Sequence, residues 1–445
     1  MNPTWSSMPA WRACWASIFT ILISVATAED RPELAGFDRQ RASQMTTAEA
    51  RLVEGLGPAL IDGRDASAAL QAWFDGLKAA KAGEPAEARR IWQRGAGLLH
   101  ALPPIPQSTW GPVPDASLTL HEEFSGASME GATCHVAGWE VDGLKQYGIL
   151  VAPPGAAKMT AAETIDTYPL LLYLHGAAFG VPLYALPWLG RIARAGYVII
   201  GPSLRGEDLF VGAADTPSLA RFRKYRSEGA IENLDGEVDD ALAAVSAARK
   251  LPFVRDGAFG IIGHSFGAGV GLLVAARHPD TACMVSYDAW LTNPFRYYWD
   301  RMRRGANNWL SWAAYCNQPV REQLRGLMKR SIVHNAARIQ CPLLLFVGGA
   351  YAGSVFHLSH EDLLAQLRRH GKPFRYDVVP DGGHNFVLYY DSEPARYAYE
   401  KHMAFLAEHL PPAPVTATDA TRTGAPGEPE PALPAGTAPP GAATP

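Results

Sequence analysis

The sequence of 445 residues has few cysteines, no excess of positive charge and no long uninterrupted apolar run. Lys and Arg number 40 against 44 Asp and Glu, which gives a formal net charge of -4 and no reason to expect a nucleic-acid partner. Five cysteines are present, and none of them falls in the C-x-x-C spacing of metal-binding thiolates. The rest is ordinary globular composition, with 48% hydrophobic residues and room for one to three domains.

A short apolar stretch near the N-terminus predicts an export signal. Arg12 precedes the apolar residues 13–25, and Ala26-Thr27-Ala28 has the small-x-small form of a signal-peptidase site. The run is shorter than the roughly 20 residues that a membrane span requires. We therefore expect a signal peptide over residues 1–28 and a periplasmic or secreted protein without stable membrane insertion. A retained anchor and an ordinary N-terminal helix are the alternatives.

Loss of this signal would place the remaining cysteines in a compartment that permits disulfides. These residues are Cys134, Cys283, Cys316 and Cys341. Spacing does not assign pairs, and buried thiols that serve only as small core residues are the other interpretation. His357 and His360 lie one helical turn apart, but no third ligand accompanies them. The sequence therefore predicts neither a metal ion nor an organic cofactor.

Three segments flank or interrupt the main domain. Residues 29–105 read as a helical extension, because two amphipathic stretches between 69 and 99 are split by Gly-Glu-Pro. Residues 291–335 form an aromatic-rich insertion. It is interpreted either as a lid over the pocket or as a plain packed subdomain. Residues 411–445 have almost no large apolar side chain and are predicted to be disordered.

The remaining segment, residues 106–410, is predicted to be an α/β domain. Short strands over 117–151 are followed by apolar runs rich in Val, Ile and Leu that alternate with helical stretches. Such runs are typical of a mostly parallel sheet whose two faces are covered by helices.

A candidate nucleophile lies where one buried strand meets a helix. The pattern G-x-S-x-G is present as Gly263-His264-Ser265-Phe266-Gly267. In a nucleophile elbow the serine sits at a sharp strained turn, and the glycines allow close approach of neighbouring backbone. His264 is not expected to be the base, because neighbours on a tight turn point apart.

A second motif ends the first strand of the alternating region, at His175-Gly176-Ala177. Together with the elbow, it makes residues 117–410 resemble the α/β-hydrolase superfamily, and so implies the α/β-hydrolase fold. That resemblance implies an oxyanion hole formed by the backbone N–H groups of Ala177 and Phe266. His175 is expected to orient the turn.

The acid of the predicted triad is not where the superfamily usually has it, because Tyr351 occupies that position. Asp288 is favoured by geometry. A helix of roughly 20 Å leads away from Ser265, and a strand of roughly 23 Å returns to Asp288 at the same sheet edge. Three other carboxylates remain as alternatives, in the later loop and helix: Glu361, Asp362 and Asp391.

The base is predicted to be His384, which follows the last predicted strand and a Pro-Asp-Gly-Gly turn. The order Ser, Asp, His is the one this fold uses. The G-H-S-F-G elbow, the D-A-W at 288–290 and the H-N-F at 384–386 resemble the platelet-activating-factor acetylhydrolase group. Two further stretches, VDGLKQYGILVAPPG and PSLRGED, are similar to dienelactone-hydrolase-like and acyl-peptidase-like enzymes.

These motifs predict a serine carboxylic-ester hydrolase that acts on a small-molecule ester through an acyl-enzyme. A serine peptidase of the same fold and a non-catalytic binding protein that kept the fold are the alternatives. The sequence assigns neither the acyl and alcohol groups nor the oligomeric state.

Overall fold

The structure is a computed structural model. It describes residues 46–124, 129, 131–154, 156, 167–176, 179–303, 318–351, 353–388 and 392–413. The predicted signal peptide, most of the predicted tail and Cys316 lie outside the described residues.

The helices are α1 (Thr47–Ile61), α2 (Ser67–Lys81), α3 (Pro85–Gly97), α4 (Leu186–Arg194), α5 (Gly236–Ala248), α6 (Phe266–Arg277), α7 (Pro294–Arg303), α8 (Val320–Arg330), α9 (Ile332–Asn335), α10 (Val355–Arg369) and α11 (Glu393–His409). The strands are β1 (Thr119–Phe124), β2 (Thr133–Val141), β3 (Leu144–Ala152), β4 (Leu170–Leu174), β5 (Val198–Ser203), β6 (Phe259–His264), β7 (Thr281–Tyr287), β8 (Leu343–Gly348) and β9 (Phe374–Val379). Short 3₁₀ turns are Leu183–Ala185, Pro217–Phe222, Ala336–Arg338, Gly349–Tyr351 and Phe386–Leu388.

The chain divides into two units, Met1–Thr109 with Asn293–His334, and Trp110–Thr292 with Asn335–Pro445. The sequence-based boundaries differ from this grouping, because they assigned the insertion 291–335 to the catalytic domain. In the structure most of that segment belongs with the N-terminal helices. The predicted role of the insertion as a lid stays a prediction.

The first unit is helical in its described part, and tryptophans make its internal contacts. The rings of Trp73 and Trp299 lie 5.6 Å apart, so α7 packs on the helical hairpin. A Cβ on Gly57 of α1 would meet the Trp299 indole nitrogen at 2.5 Å. Trp92 donates its indole N–H to the carbonyl of Trp73 at 3.2 Å. Trp299 of α7 therefore serves packing within this unit.

The second unit contains a sheet whose described strands follow the order β1-β2-β3-β5-β4-β6-β7-β8-β9. The pairs β1–β2, β2–β3 and β3–β5 are antiparallel, and every later pair is parallel. The runs LLLYL in β4, FGIIGH in β6 and LLLFVG in β8 are buried throughout, as expected for strands covered on both faces. The predicted mostly parallel α/β sheet is confirmed.

The register of the parallel strands brings the predicted site residues to one edge. His264 at the end of β6 pairs with Tyr287 at the end of β7, and Tyr287 pairs with Phe346 of β8. Ser265 and Asp288 come directly after these strand ends. Because the strands are parallel, the residues that follow them share the carboxyl edge of the sheet.

Candidate active site

Ser265 lies in a sharp turn between β6 and α6, which we call the nucleophile turn (263–267). Its backbone has φ 52° and ψ -115°, outside the regions that L-residues normally occupy. A Cβ on Gly263 would meet the Cα of Ala268 at 2.6 Å, and a Cβ on Gly267 would run into the carbonyl oxygen of Leu174. The glycines are therefore required by close backbone approach, as the motif predicts.

His384 lies within hydrogen-bonding distance of the serine. The distance from Ser265 Oγ to His384 Nε2 is 2.7 Å. Both groups belong to the second unit, although 119 positions separate them in the chain. This is the geometry that a general base needs to take a proton from a hydroxyl group.

Asp288 lies on the other side of the histidine ring. Its Oδ2 is 3.9 Å from His384 Nδ1, an ion-pair distance that is longer than a hydrogen bond. Catalytic hydrogen bonds are often long in ligand-free structures and shorten when substrate binds. The imidazole of His384 thus lies between the serine hydroxyl and the Asp288 carboxylate, as in a Ser-His-Asp triad.

The carboxylate is fixed from the neighbouring strand. The amide of Asp288 donates to the carbonyl of Phe346 at 2.9 Å, and the amide of Gly348 donates to Asp288 Oδ1 at 2.8 Å. Asp288 has φ 48° and is fully buried, so its backbone lies in the left-handed region and its side chain is enclosed. These contacts use one oxygen and leave the other directed toward the imidazole.

Burial shapes the acid–base chemistry of this pair. Removal from water raises the pKa of the Asp288 carboxyl well above its ordinary value, although the Gly348 amide opposes this. Burial lowers the pKa of His384 to about 3, and the nearby His264 and His360 act in the same direction. The imidazole is therefore neutral at neutral pH, which is the state in which it accepts a proton.

The turn that carries His384, residues 380–384, is called the base turn. The amide of Ala350 donates to the carbonyl of Gly382 at 3.2 Å. His264 Nε2 lies 2.9 Å from the carbonyl oxygen of His384, and the Phe356 ring lies edge-on to the His384 ring at 5.4 Å. The turn is thus held by neighbours from three other segments.

Of the two predicted oxyanion donors, one is described. Phe266 is the first residue of α6, where helix geometry leaves the backbone N–H groups without intrahelical partners. Ala177 lies outside the described residues. The buried His175 next to it has its Nε2 3.1 Å from the buried carboxylate oxygen of Glu207. Sequence reasoning expected an orienting role for His175 but missed Glu207 as its partner.

The other carboxylates considered for the acid are placed differently. Glu361 lies on α10 and faces His357, with 3.9 Å between its carboxylate oxygen and Nδ1. Asp362 lies on the same helix, and Asp391 falls outside the described residues. The structure brings Asp288 to the His384 ring. Its catalytic role stays a prediction.

Sequence patterns missed the groups that hold the triad in place. Gly348 acts through its backbone amide, for which a sequence carries no signal. His264 stood inside the motif, but its contact with the base turn spans 120 positions. The local pattern indicates only that His264 is not the base.

Three other features bear on the site, namely possible metal ligands, possible membrane helices and cysteine thiols in the described part of the chain. In the described ranges, no group of three or more His, Cys, Asp or Glu is arranged to hold a metal ion. None of the described helices combines the length and apolar character of a membrane crossing. Cys134, Cys283 and Cys341 are buried free thiols, and burial raises the pKa of Cys283 to about 12. Such thiols are not nucleophiles at neutral pH.

The sequence and the fold are similar to those of known proteins. Residues 192–412, slightly less than half of the chain, match the sequence model of the Prolyl oligopeptidase family (Peptidase_S9). No curated protein matches the sequence. The matched segment contains the nucleophile turn, the strand end at Asp288 and the base turn.

Among solved structures, acetyl xylan esterase 1 from Thermoanaerobacterium sp. JW/SL YS485 is 19% identical, with a TM-score of 0.45 over 66% of this chain and 89% of that chain. The acetyl xylan esterase from Paenibacillus sp. R4 is 18% identical, with a TM-score of 0.45 over 67% and 90%. An acylaminoacyl peptidase from Pyrococcus horikoshii is 16% identical, with a TM-score of 0.41 over 67% and 42%.

The family match, the sheet order and the serine turn define the class. The chain is a serine hydrolase with the α/β-hydrolase fold. The likeness to the platelet-activating-factor acetylhydrolase group is a resemblance of motifs.

Proposed function

We propose that the protein is a carboxylic-ester hydrolase in which Ser265 is the nucleophile, His384 the general base and Asp288 the acid. The observation that carries this proposal is the 2.7 Å contact between Ser265 Oγ and His384 Nε2, with a buried carboxylate behind the ring. The motif resemblance to acetylhydrolases supports an ester as the substrate.

The first half-reaction forms an acyl-enzyme. His384 Nε2 takes the hydroxyl proton of Ser265 as Oγ attacks the ester carbonyl carbon. Asp288 stabilises the imidazolium that forms, because a positive charge 3.9 Å from its Oδ2 favours the ionised carboxylate there. The tetrahedral intermediate collapses, the carbon–oxygen bond to the alcohol breaks, and His384 returns its proton to the leaving alkoxide.

The second half-reaction frees the serine. His384 takes a proton from water, the hydroxide attacks the acyl carbonyl, and the Ser265 oxygen leaves as the proton returns to it. In both halves the backbone N–H groups of Phe266 and Ala177 bind the negatively charged oxygen. The loss of one such donor typically lowers kcat by roughly 10²–10³.

A serine peptidase is the second candidate, because the matching family is the Prolyl oligopeptidase family. The same triad chemistry cleaves amides when the leaving amine is protonated by the base. The two candidates differ only in which leaving group the pocket accepts, so substrate assays separate them.

The test is a panel of p-nitrophenyl esters of graded acyl length beside aminoacyl p-nitroanilides, with wild type and Ser265→Ala. We expect ester hydrolysis that depends on Ser265 and little cleavage of anilides. Anilide cleavage that exceeds ester hydrolysis at equal concentration would assign a peptidase. Ester hydrolysis that persists in Ser265→Ala would overturn the assignment of the nucleophile.

We also propose that residues 1–28 direct export and are removed. The support is the apolar run and the small-x-small site in the sequence. Intact mass of protein recovered outside the cytoplasm tests this, because a chain that begins at Glu29 is the expected product. A full-length chain that remains with the membrane would indicate a retained anchor.

A further inference from the structure

His264 is a buried histidine that the proposed reaction does not use. It ends strand β6 and directly precedes Ser265. Its side chain is 6% exposed, and its Nε2 lies 2.9 Å from the carbonyl oxygen of His384. The residue beside the nucleophile thus contacts the backbone of the base.

The direction of this hydrogen bond follows from the partner. A carbonyl oxygen only accepts, so His264 carries its proton on Nε2 and donates it to His384. Burial lowers the pKa of His264 to about 4, so the ring is neutral and this tautomer persists at neutral pH.

The ring has little freedom to turn away. A Cβ on Gly176 would meet the Cε1 of His264 at 2.9 Å, so the ring is packed directly against the backbone of the turn after β4. It is therefore held between Gly176 on one side and the His384 carbonyl on the other.

The base turn needs such a support. It contains Gly382 and Gly383, and a Cβ on Gly383 would meet no atom within 4 Å, so no neighbouring group restricts the backbone on that side of Gly383. Glycine in an open turn leaves the backbone free to take several conformations. A misplacement of a catalytic group by about 1 Å can cost about 10²-fold in rate.

We propose that His264 is a positioning residue that fixes the backbone of His384, and so holds the base at hydrogen-bonding distance from Ser265. One strand end thereby presents the nucleophile and anchors the base. This inference rests on the proposed function, in which His384 is the base.

The test compares His264→Phe with His264→Gln. Phenylalanine keeps a ring but has no donor, whereas the Gln side-chain amide offers a donor near the position of Nε2. With p-nitrophenyl acetate we expect His264→Phe to lower kcat about 10²-fold with KM changed by less than about threefold, and His264→Gln to recover most of that loss. His278→Phe is the matched control, because His278 is 9% exposed and follows α6 at the opposite edge of the sheet.

A double-mutant cycle shows whether His264 acts through His384. In a His384→Ala background, His264→Phe should cause no further loss of the residual rate. An equal further loss there, or wild-type kcat in His264→Phe, would overturn the inference. So would a fall in kcat in His278→Phe as large as that in His264→Phe.

One further variant covers the case in which His264→Phe does not fold. His264→Asn is shorter than Gln and should not reach the carbonyl, so a kcat equal to that of His264→Gln would contradict the proposal. Ser265→Ala separates failure of this inference from failure of the proposed function. If the proposed function is wrong, Ser265→Ala keeps the wild-type rate.

Discussion

The nucleophile turn and the base turn meet above the same sheet edge, and they are held in different ways. Ser265 lies in a strained turn directly between β6 and α6, where the glycines at 263 and 267 allow the backbone of α6 and of the segment after β4 to approach closely. His384 follows a glycine turn and is placed by contacts from elsewhere, among them the ring of His264. The nucleophile can thus be recognised from a local motif, whereas the position of the base depends on contacts that no local motif shows.

The largest expected effect is that of Ser265→Ala. Loss of the hydroxyl removes the attacking atom, and kcat for p-nitrophenyl acetate should fall by roughly 10⁶. The thermal midpoint should stay close to that of wild type, since a buried strained serine gives up only one oxygen. A variant that folds and retains a tenth of the wild-type rate would show that the strained turn has another purpose.

Asp288→Asn is expected to have the next largest effect. The amide cannot stabilise the imidazolium, so kcat should fall by roughly 10⁴. Glu361→Gln and Asp362→Asn are the controls, and both should keep near wild-type kcat. Near wild-type activity in Asp288→Asn together with an inactive Asp362→Asn would move the acid to α10.

Two glycine substitutions compare the turns directly. Gly267→Ala places a Cβ against the carbonyl oxygens of Leu174 and His175, and should lower the free energy of unfolding by about 1–3 kcal/mol. Gly383→Ala meets no atom within 4 Å and should change it by less than about 0.5 kcal/mol. Chemical denaturation of the two purified variants measures both. Equal destabilisation of the two variants would contradict the difference in packing between the nucleophile turn and the base turn.

The smallest expected effect is on the pH dependence of stability, and it comes from a buried histidine that is not part of the proposed triad. His402 is fully buried, its Nδ1 lies 2.9 Å from the Tyr287 hydroxyl, and burial lowers its pKa to about 3. An unfolded histidine titrates near pKa 6.5, so below that pH the unfolded chain binds a proton that the folded chain does not. The free energy of unfolding is therefore unaffected by this histidine's titration above about pH 6.5, and it falls as the pH is lowered from there toward 3.

The difference in Tm between wild type and His402→Phe should therefore narrow from pH 7.5 to pH 5, because the variant lacks this titration. Tyr287→Phe removes the same hydrogen bond but keeps the imidazole, so its difference from wild type should stay constant. A difference for His402→Phe that does not change with pH would show that this histidine takes up a proton in the folded state over the same pH range as in the unfolded chain.

The sequence predicted the mostly parallel sheet, because runs such as LLLYL and LLLFVG are buried on both faces and interrupted by helices. It also placed Asp288 beside Ser265, since a helix and a returning strand of similar length bring the chain back to the same edge. The amide of Ser265 indeed donates to the carbonyl of Tyr287 at 2.8 Å.

The supports of the site were not predictable, because they depend on tertiary contacts and on backbone groups. The Gly348 amide that holds Asp288 and the His264 donor that holds the base turn are separated from their partners by 60 and 120 positions. The grouping of the insertion with the N-terminal helices likewise depends on packing between segments distant in the chain, for which a sequence carries no signal.

The most direct measurement of the central claim is labelling by a fluorophosphonate probe followed by peptide mass spectrometry. If Ser265 is activated by His384, the adduct should form on Ser265 in wild type and its rate of formation should fall by orders of magnitude in His384→Ala. An adduct on another residue, or equal labelling of Ser265 in both proteins, would contradict the account.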